Sequence, residues 1–254
     1  MKTGDYLSTP ARQARVTEET EHRPWPLPDE PWTNAQTWEH LAFLHWRVDE
    51  QALRGLVPIG LELDTHGGSA WLGVTPFRLT GFRVRGTPPL PVVSSFPELN
   101  VRTYVSRDWR AGIWFFSLDC ASTLAVEGAK RLYRLPYRRA RMSIERRGDF
   151  VRYESARDGA VFSARYRPTG EPFVAMPGSL EHFLTERYCL YAADGSTLYR
   201  ADIHHPPWPL QTGEAAIELN TMPPAGVELP DERPLVHYAA RQDVVVWHPE
   251  RLAL

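Results

Sequence analysis

Phe96-Pro97-Glu98-Leu99-Asn100-Val101-Arg102-Thr103-Tyr104-Val105 alternates in character at every second position. Successive side chains of a β-strand point to opposite faces, so Leu99, Val101, Thr103 and Val105 share one side. Glu98, Asn100, Arg102 and Tyr104 share the other: an acid, an amide, a guanidinium and a phenol. Such a face is either wetted by bulk solvent or lines an enclosed space. Just downstream, Trp109-Arg110-Ala111-Gly112-Ile113-Trp114-Phe115-Phe116-Ser117-Leu118 is apolar enough for a buried strand. A polar face beside such a strand points to a cavity wall.

The flanking sequence is built from short β elements. His40 to Val48 suits a strand, after which Asp49 can cap a short helix from Glu50 to Leu56, with Leu53, Leu56 and Val57 on its buried side and Pro58 as its stop. Leu61–Asp64 and Ser69–Phe77 read as strands joined by a turn at Thr65-His66-Gly67-Gly68. Residues 86 to 97, with Pro88, Pro89, Pro91 and Pro97, predict a loop. Asp119 or Ser122 can cap a helix running to about Tyr133. Runs from Ala140, Phe150 and Ala160, separated by Gly148-Asp149 and Asp158-Gly159, predict a meander. Ser179 heads a short helix, and strands are expected near 186–193, 197–204, 213–220 and 241–247. Short strands with frequent turn signals predict an α+β protein that is mainly antiparallel β.

Residues 1–33 are polar and then proline-rich. They read as a flexible extension ending in a strap, with Trp25, Leu27 and Trp32 available to lie on the body. No later linker divides the chain, so 34–254 is expected to be a single domain.

Composition narrows the function. A net charge of −2 gives no overall field for nucleic acid or an anionic membrane. The arginine-rich stretch from Arg131 to Arg147 lacks an aromatic platform and reads as a solvated, salt-bridged face. The two cysteines, Cys120 and Cys189, are far apart and read as free buried thiols. With no signal-peptide core and no apolar run of about 18 residues, the expectation is a cytoplasmic protein without membrane contact. His204-His205 is the one metal-like motif, but neighbours on a strand point apart, so no metal and no cofactor is expected. Neither a Gly-x-Ser-x-Gly elbow nor a phosphate-binding glycine loop is present.

Two stretches carry a resemblance. His40 to Pro58 with Leu61–Asp64 resembles the N-terminal strand–helix–strand of acetoacetate decarboxylase. Phe96 to Met142, with Glu98, Leu118-Asp119, Leu124-Ala125-Val126 and Leu135-Pro136-Tyr137-Arg138, resembles that enzyme's catalytic half. The closer likeness is to the YqjF-like bacterial proteins of the acetoacetate decarboxylase-like superfamily, through residues 96–105, Glu186-Arg187-Tyr188-Cys189-Leu190-Tyr191 and His205-Pro206-Pro207-Trp208-Pro209-Leu210. The resemblance implies a closed or nearly closed β-barrel with a few short flanking helices and an interior cavity. It also aligns Glu98 with an active-site glutamate.

At the position of the family's reactive lysine, after Pro136, this chain has Tyr137, followed by Arg138. Imine chemistry needs a neutral primary amine, which neither side chain supplies. The only lysines are Lys2, in the extension, and Lys130. On the expected helix Lys130 lies opposite the side shared by Ala121, Leu124, Ala125, Gly128 and Leu132. The expected ligand is a small organic acid or ketone. Glu98 and Tyr137 are the catalytic candidates, and Arg102, Asn100, Tyr104 and Arg138 the ligand-binding ones. A lyase-type enzyme without a Schiff-base lysine and a non-catalytic binding protein both fit. Exposed β edges leave a homodimer open.

Overall fold

The structure, a computed structural model, describes residues 3–89 and 94–253. Helix α1 (Thr3–Arg15) precedes β1 (Asn34–Val48), α2 (Glu50–Arg54), β2 (Glu62–Leu63) and β3 (Ala70–Val84). Strands β4 (Phe96–Arg107) and β5 (Arg110–Cys120) form a hairpin, followed by α3 (Thr123–Tyr133) and β6 (Tyr137–Arg139). The meander is β7 (Arg141–Arg147), β8 (Phe150–Arg157) and β9 (Ala160–Pro168). Then come α4 (Leu180–Thr185), β10 (Cys189–Asp194), β11 (Thr197–His204), β12 (Leu210–Asn220), β13 (Leu235–Val246) and β14 (Glu250–Arg251).

Strands β1, β3, β4, β5, β10, β11 and β13 form a ring. Most neighbours are antiparallel over long stretches, but two joints are short. Strand β10 meets β5 in parallel at Leu190↔Ile113 and Tyr191↔Trp114. Strand β11 meets β13 at Ile203↔Val246 and His204↔Val245. Beyond its contact with β10, β5 is paired instead by β6, from Leu118↔Tyr137 to Cys120↔Arg139. The barrel is therefore nearly closed, with α3 and β6 beside the less regular seam.

Strand β12 leaves this ring after pairing with β13 and joins β9, β8 and β7 in a second sheet. The apolar side of β4 is buried between the two layers: Leu99 and Val101 pack in one cluster with Leu44, Val74, Tyr153 and Phe162. Polar ties cross the same layer. Asp119 is fully buried, accepting from Ser155 Oγ at 2.9 Å and from Arg157 Nε at 2.6 Å. Tyr153 donates to the backbone carbonyl of Glu98 at 2.6 Å, fastening β4 near its start.

The local signals place the helices well. Asp49 caps α2 by accepting from Gln51 N, Ser122 rather than Asp119 caps α3, and Ser179 caps α4. Leu53 and Val57 are buried as expected, but α2 ends at Arg54 and Leu56 is exposed. The proline-rich loop falls partly on residues 90–93, outside the described residues, as does Lys2.

The extension requires a correction. Its polar part forms α1, which is seated on the barrel rather than free. Gln13 is completely buried, donating to Thr37 Oγ1 at 3.1 Å and to the Gly81 carbonyl at 3.0 Å, and accepting from Arg83 Nε at 2.8 Å. Gly81 has φ of +60°, and a side chain there would collide with Thr9 Cγ2 at 2.9 Å, so its absence lets the helix close on β3. The proline-rich part is the strap the prolines suggest. Trp25 donates to Asp202 Oδ1 at 2.8 Å, while Leu27 and Trp32 pack on Val16, Ala35 and Trp247.

Candidate functional site

The barrel encloses a cavity of about 560 Å3. Glu98, Asn100 and Arg102 line it from β4, and Thr75 lines it from the paired position on β3 opposite Asn100. Strand β5 supplies Ile113, Phe115 and Leu118. Those three do not share one parity, and the register explains why. Val101 pairs with Ser117 but Arg102 with Phe115, so Phe116 is an extra residue in β5. A bulge of this kind shifts the following side chains to the opposite face. Here it keeps apolar residues inward on both sides of the irregularity.

Glu98 is 4% exposed. Burial pushes its carboxyl from the ordinary 4.5 up to about 8, outweighing hydrogen bonds from Tyr137 and Asn100 that favour the anion. The Tyr137 hydroxyl is shared between the two carboxyl oxygens, 3.2 Å from each. Burial, then the Glu98 charge, drives the Tyr137 phenol well above its usual range. At neutral pH the pair therefore holds two protons in a low-dielectric pocket: a carboxylic acid and a phenol donor. Cys120, opposite Glu98 on β5, is likewise pushed up by burial and by Glu98, and stays a thiol.

Arg102 is different. It is 6% exposed, its Nε has no partner, and among the described residues no carboxylate forms an ion pair with it. Its Nη2 donates to the Leu184 carbonyl at 3.3 Å and reaches the Tyr104 oxygen at 3.5 Å. The guanidinium lies over the rings of Phe43 and Tyr104, 5.1 and 5.7 Å from their centroids. Opposite Arg102, Gly73 leaves room: a Cβ would sit 3.2 Å from Arg102 Cγ and from the His45 ring. Two further arginines are in the wall: Arg187 pairs with Asp64 at 2.5 Å, and Arg83 donates to Gln13 Oε1 and to the Pro10 carbonyl, each at 2.8 Å.

Tyr104 shares this strand face but does not line the cavity. Its hydroxyl donates to Leu184 O at 2.8 Å, so it accepts from His45 Nε2 at 2.6 Å. That leaves His45 neutral with the proton on Nε2, in line with the lowering of its pKa by burial and by Arg102. The ligand-binding expectation for Tyr104 is corrected to a buried brace for Arg102. Arg138 is corrected too. It is exposed and absent from the lining, because β6 sends Tyr137 inward and its neighbour outward.

Among the wall residues not singled out as ligand contacts by the sequence are Thr75, Arg187, His205 and Trp208. His205 and Trp208 come from the proline-rich segment after β11, where Trp208 stacks on Trp38 and meets Phe43 edge-on. The Glu186 carboxylate holds this loop by accepting from Trp208 N at 2.9 Å. Unpartnered buried polar atoms gather in the wall: Thr75 Oγ1, Ser94 Oγ, Asn100 Oδ1, Arg102 Nε, and the indole nitrogens of Trp38 and Trp208. Buried polar groups are normally satisfied, and here several unsatisfied ones fall in a single cavity wall. Among the described residues no lysine lines it, and Lys130 is exposed. His204 turns away to the Val16 carbonyl at 2.7 Å, and no described cluster of His, Cys, Asp or Glu has a metal-binding arrangement.

A family model for DUF2071, described as an uncharacterized conserved protein, matches residues 35–243. The chain belongs to the DUF2071 family. It is 48% identical over 236 residues to the uncharacterized protein YqjF of Bacillus subtilis, covering 91% of this chain and 98% of that protein. Among solved structures, the acetoacetate decarboxylase of Legionella pneumophila superposes with a TM-score of 0.63 at 12% identity, covering 94% of this chain and 95% of that one. The enduracididine biosynthesis enzyme MppR complexed with pyruvate gives 0.64 at 11% identity, covering 91% and 93%. At these identities the likeness establishes the fold, which is acetoacetate decarboxylase-like. No helix among the described residues of this DUF2071 member is long and apolar enough to cross a membrane.

Proposed function

We propose that this DUF2071 protein binds a small organic acid or ketone inside its barrel, in a cytoplasmic setting, and acts on it without forming an imine. The observation that carries the reading is Arg102: a buried cation in a cavity wall with no acid beside it. An unpaired buried charge costs several kcal/mol, which a ligand carboxylate would offset. Thr75 would orient the bound group by donating from its unpartnered hydroxyl. Tyr137 would donate to a carbonyl oxygen as negative charge develops there. Glu98, whose pKa of about 8 lies near neutrality, would give its O–H proton to the carbon of the enolate left when a C–C bond of the substrate breaks, and would regain a proton from water after product leaves. This is lyase-type acid–base chemistry.

One observation favours the second reading, a binding protein without turnover. Glu98 and Arg102 are four residues apart on one strand, about 13 Å between Cα atoms. The smallest acids anchored at Arg102 would not reach the Glu98–Tyr137 pair.

A thermal-shift screen of short organic acids and ketones, run on wild type and Arg102→Met, tests the proposal. At a hundred-fold excess over Kd, a ligand raises stability by about 2.7 kcal/mol, or roughly 5–10 °C in a chain of this length. The shift should vanish in Arg102→Met. A ligand that stabilises both proteins equally would defeat the anion assignment. NMR detection of product with wild type but not Glu98→Gln would favour the enzyme over the binder.

A further inference from the structure

Polar side chains occupy only part of the cavity wall, and the β3–β4 register orders them. Gly73 faces Arg102, Thr75 faces Asn100, Phe77 faces Glu98, and Leu79 faces Phe96. Beyond that last pair, β3 continues to Phe82 and Val84, which still line the cavity although 38% and 55% exposed. Leu132 of α3, also in the lining, is 55% exposed. The site therefore runs from an enclosed cation, past the Glu98 acid, to an end where large apolar side chains share the lining with Thr33, Asn34, Arg83 and Thr87. Exposed apolar side chains gathered at one rim mark a contact surface rather than ordinary exterior.

Helix α3 adds an independent sign. Gly128 is in the middle of this helix, where glycine costs roughly 1 kcal/mol relative to alanine. It lines the cavity, and a Cβ built there meets nothing within 4 Å.

We propose that the ligand is an amphipathic monocarboxylic acid, its carboxylate on Arg102 and an uncharged aliphatic tail running past Leu79 and Phe96 to Phe82, Val84 and Leu132. This rests on the anion reading above and assigns the rest of the molecule. From Arg102 to Phe96 the strand alone spans about 20 Å. The cavity volume of about 560 Å3 falls within the roughly 300–1,000 Å3 typical of drug-sized ligands. A two- or three-carbon acid would leave most of it unfilled. A cationic group on the tail would find no carboxylate among the described lining residues at this end, and Arg83, between Phe82 and Val84, is engaged by Gln13 Oε1 and the Pro10 carbonyl.

Calorimetric titration of the full-length protein with octanoate, decanoate, dodecanoate and hexadecanoate tests this, alongside Arg102→Met and Gly128→Leu, each checked for native circular dichroism. Each added methylene should lower Kd by roughly four-fold. Arg102→Met should weaken every member of the series. Gly128→Leu should reduce the octanoate-to-hexadecanoate Kd ratio at least ten-fold by filling the opening. A Kd independent of chain length but still dependent on Arg102 would refute the tail and leave the anion reading standing. A chain-length gain untouched by Arg102→Met, or octanol binding as tightly as octanoate, would refute the head assignment and with it both proposals. Failure of every acid to bind the folded wild type would refute the aliphatic-acid proposal and leave the anion reading to the thermal-shift screen of short acids and ketones.

Discussion

Replacing Glu98 by glutamine should change how stability depends on pH more than stability itself. In the native protein burial raises the carboxyl from 4.5 to about 8. Between those values the folded state holds a proton that the unfolded chain has released, so the folded state binds more protons and stability falls as pH rises. The protonated form's advantage is fully present below about pH 4.5 and is lost as pH passes through about 8. At about 1.36 kcal/mol per pH unit, the window corresponds to about 5 kcal/mol. Glu98 is almost inaccessible, so solvent does little to screen this; water entering the cavity makes the figure an upper bound. Glutamine keeps the shape and the contact with Tyr137 but has no proton to lose. Urea denaturation of wild type and Glu98→Gln at pH 5, 6, 7 and 8 measures the effect. The wild-type curve should be steeper by up to about 1.4 kcal/mol per pH unit, with the variant relatively more stable toward pH 8. Parallel curves would show that Glu98 ionises normally, and the assignment of a neutral acid to this pocket would be wrong.

Other consequences can be checked separately. Gly73→Ala places a methyl 3.2 Å from Arg102 Cγ and the His45 ring, so it should cost about 1–3 kcal/mol in denaturation and weaken anion binding; an unaltered stability and Kd would show that Arg102 is not held as described. Asp119→Ala strands Arg157 and empties a polar contact between the sheets, and should cost about 3–5 kcal/mol in urea denaturation. A loss under 1 kcal/mol would mean that this ion pair is not a structural tie. Borohydride reduction in the presence of 2- or 3-oxo acids should leave the protein's mass unchanged, because no described lysine lines the cavity. A reduced adduct on Lys130 would overturn the imine-free reading.

Much of β4 was legible because strand geometry converts sequence parity directly into faces. Glu98, Asn100 and Arg102 required only the two-residue period to be grouped, and Tyr137 required only the strand's alternation to be separated from Arg138. Tyr104 obeys the same parity, yet the close approach of His45 and of the Leu184 carbonyl takes its hydroxyl out of the cavity. Parity says which face a side chain shares, not what comes to cover it. The inward set on β5 was beyond that rule, since the extra residue Phe116 breaks the alternation and is defined only by pairing with β4. Helix α1 was missed for a related reason. Gln13 and Arg83 look like solvated polar residues until Thr37 and the Gly81 carbonyl are brought to them from other strands.

The order of residues by itself determined the strands, the capped helices, the polar face of one strand and the lack of an amine after Pro136, because each depends on neighbours within a few positions. Tertiary structure alone decided that this face looks into an enclosed space, that Arg102 sits there without an acid, and that Glu98 keeps its proton near neutrality. Those properties follow from exclusion of water and from partners supplied by distant strands, and neither exists until the barrel closes.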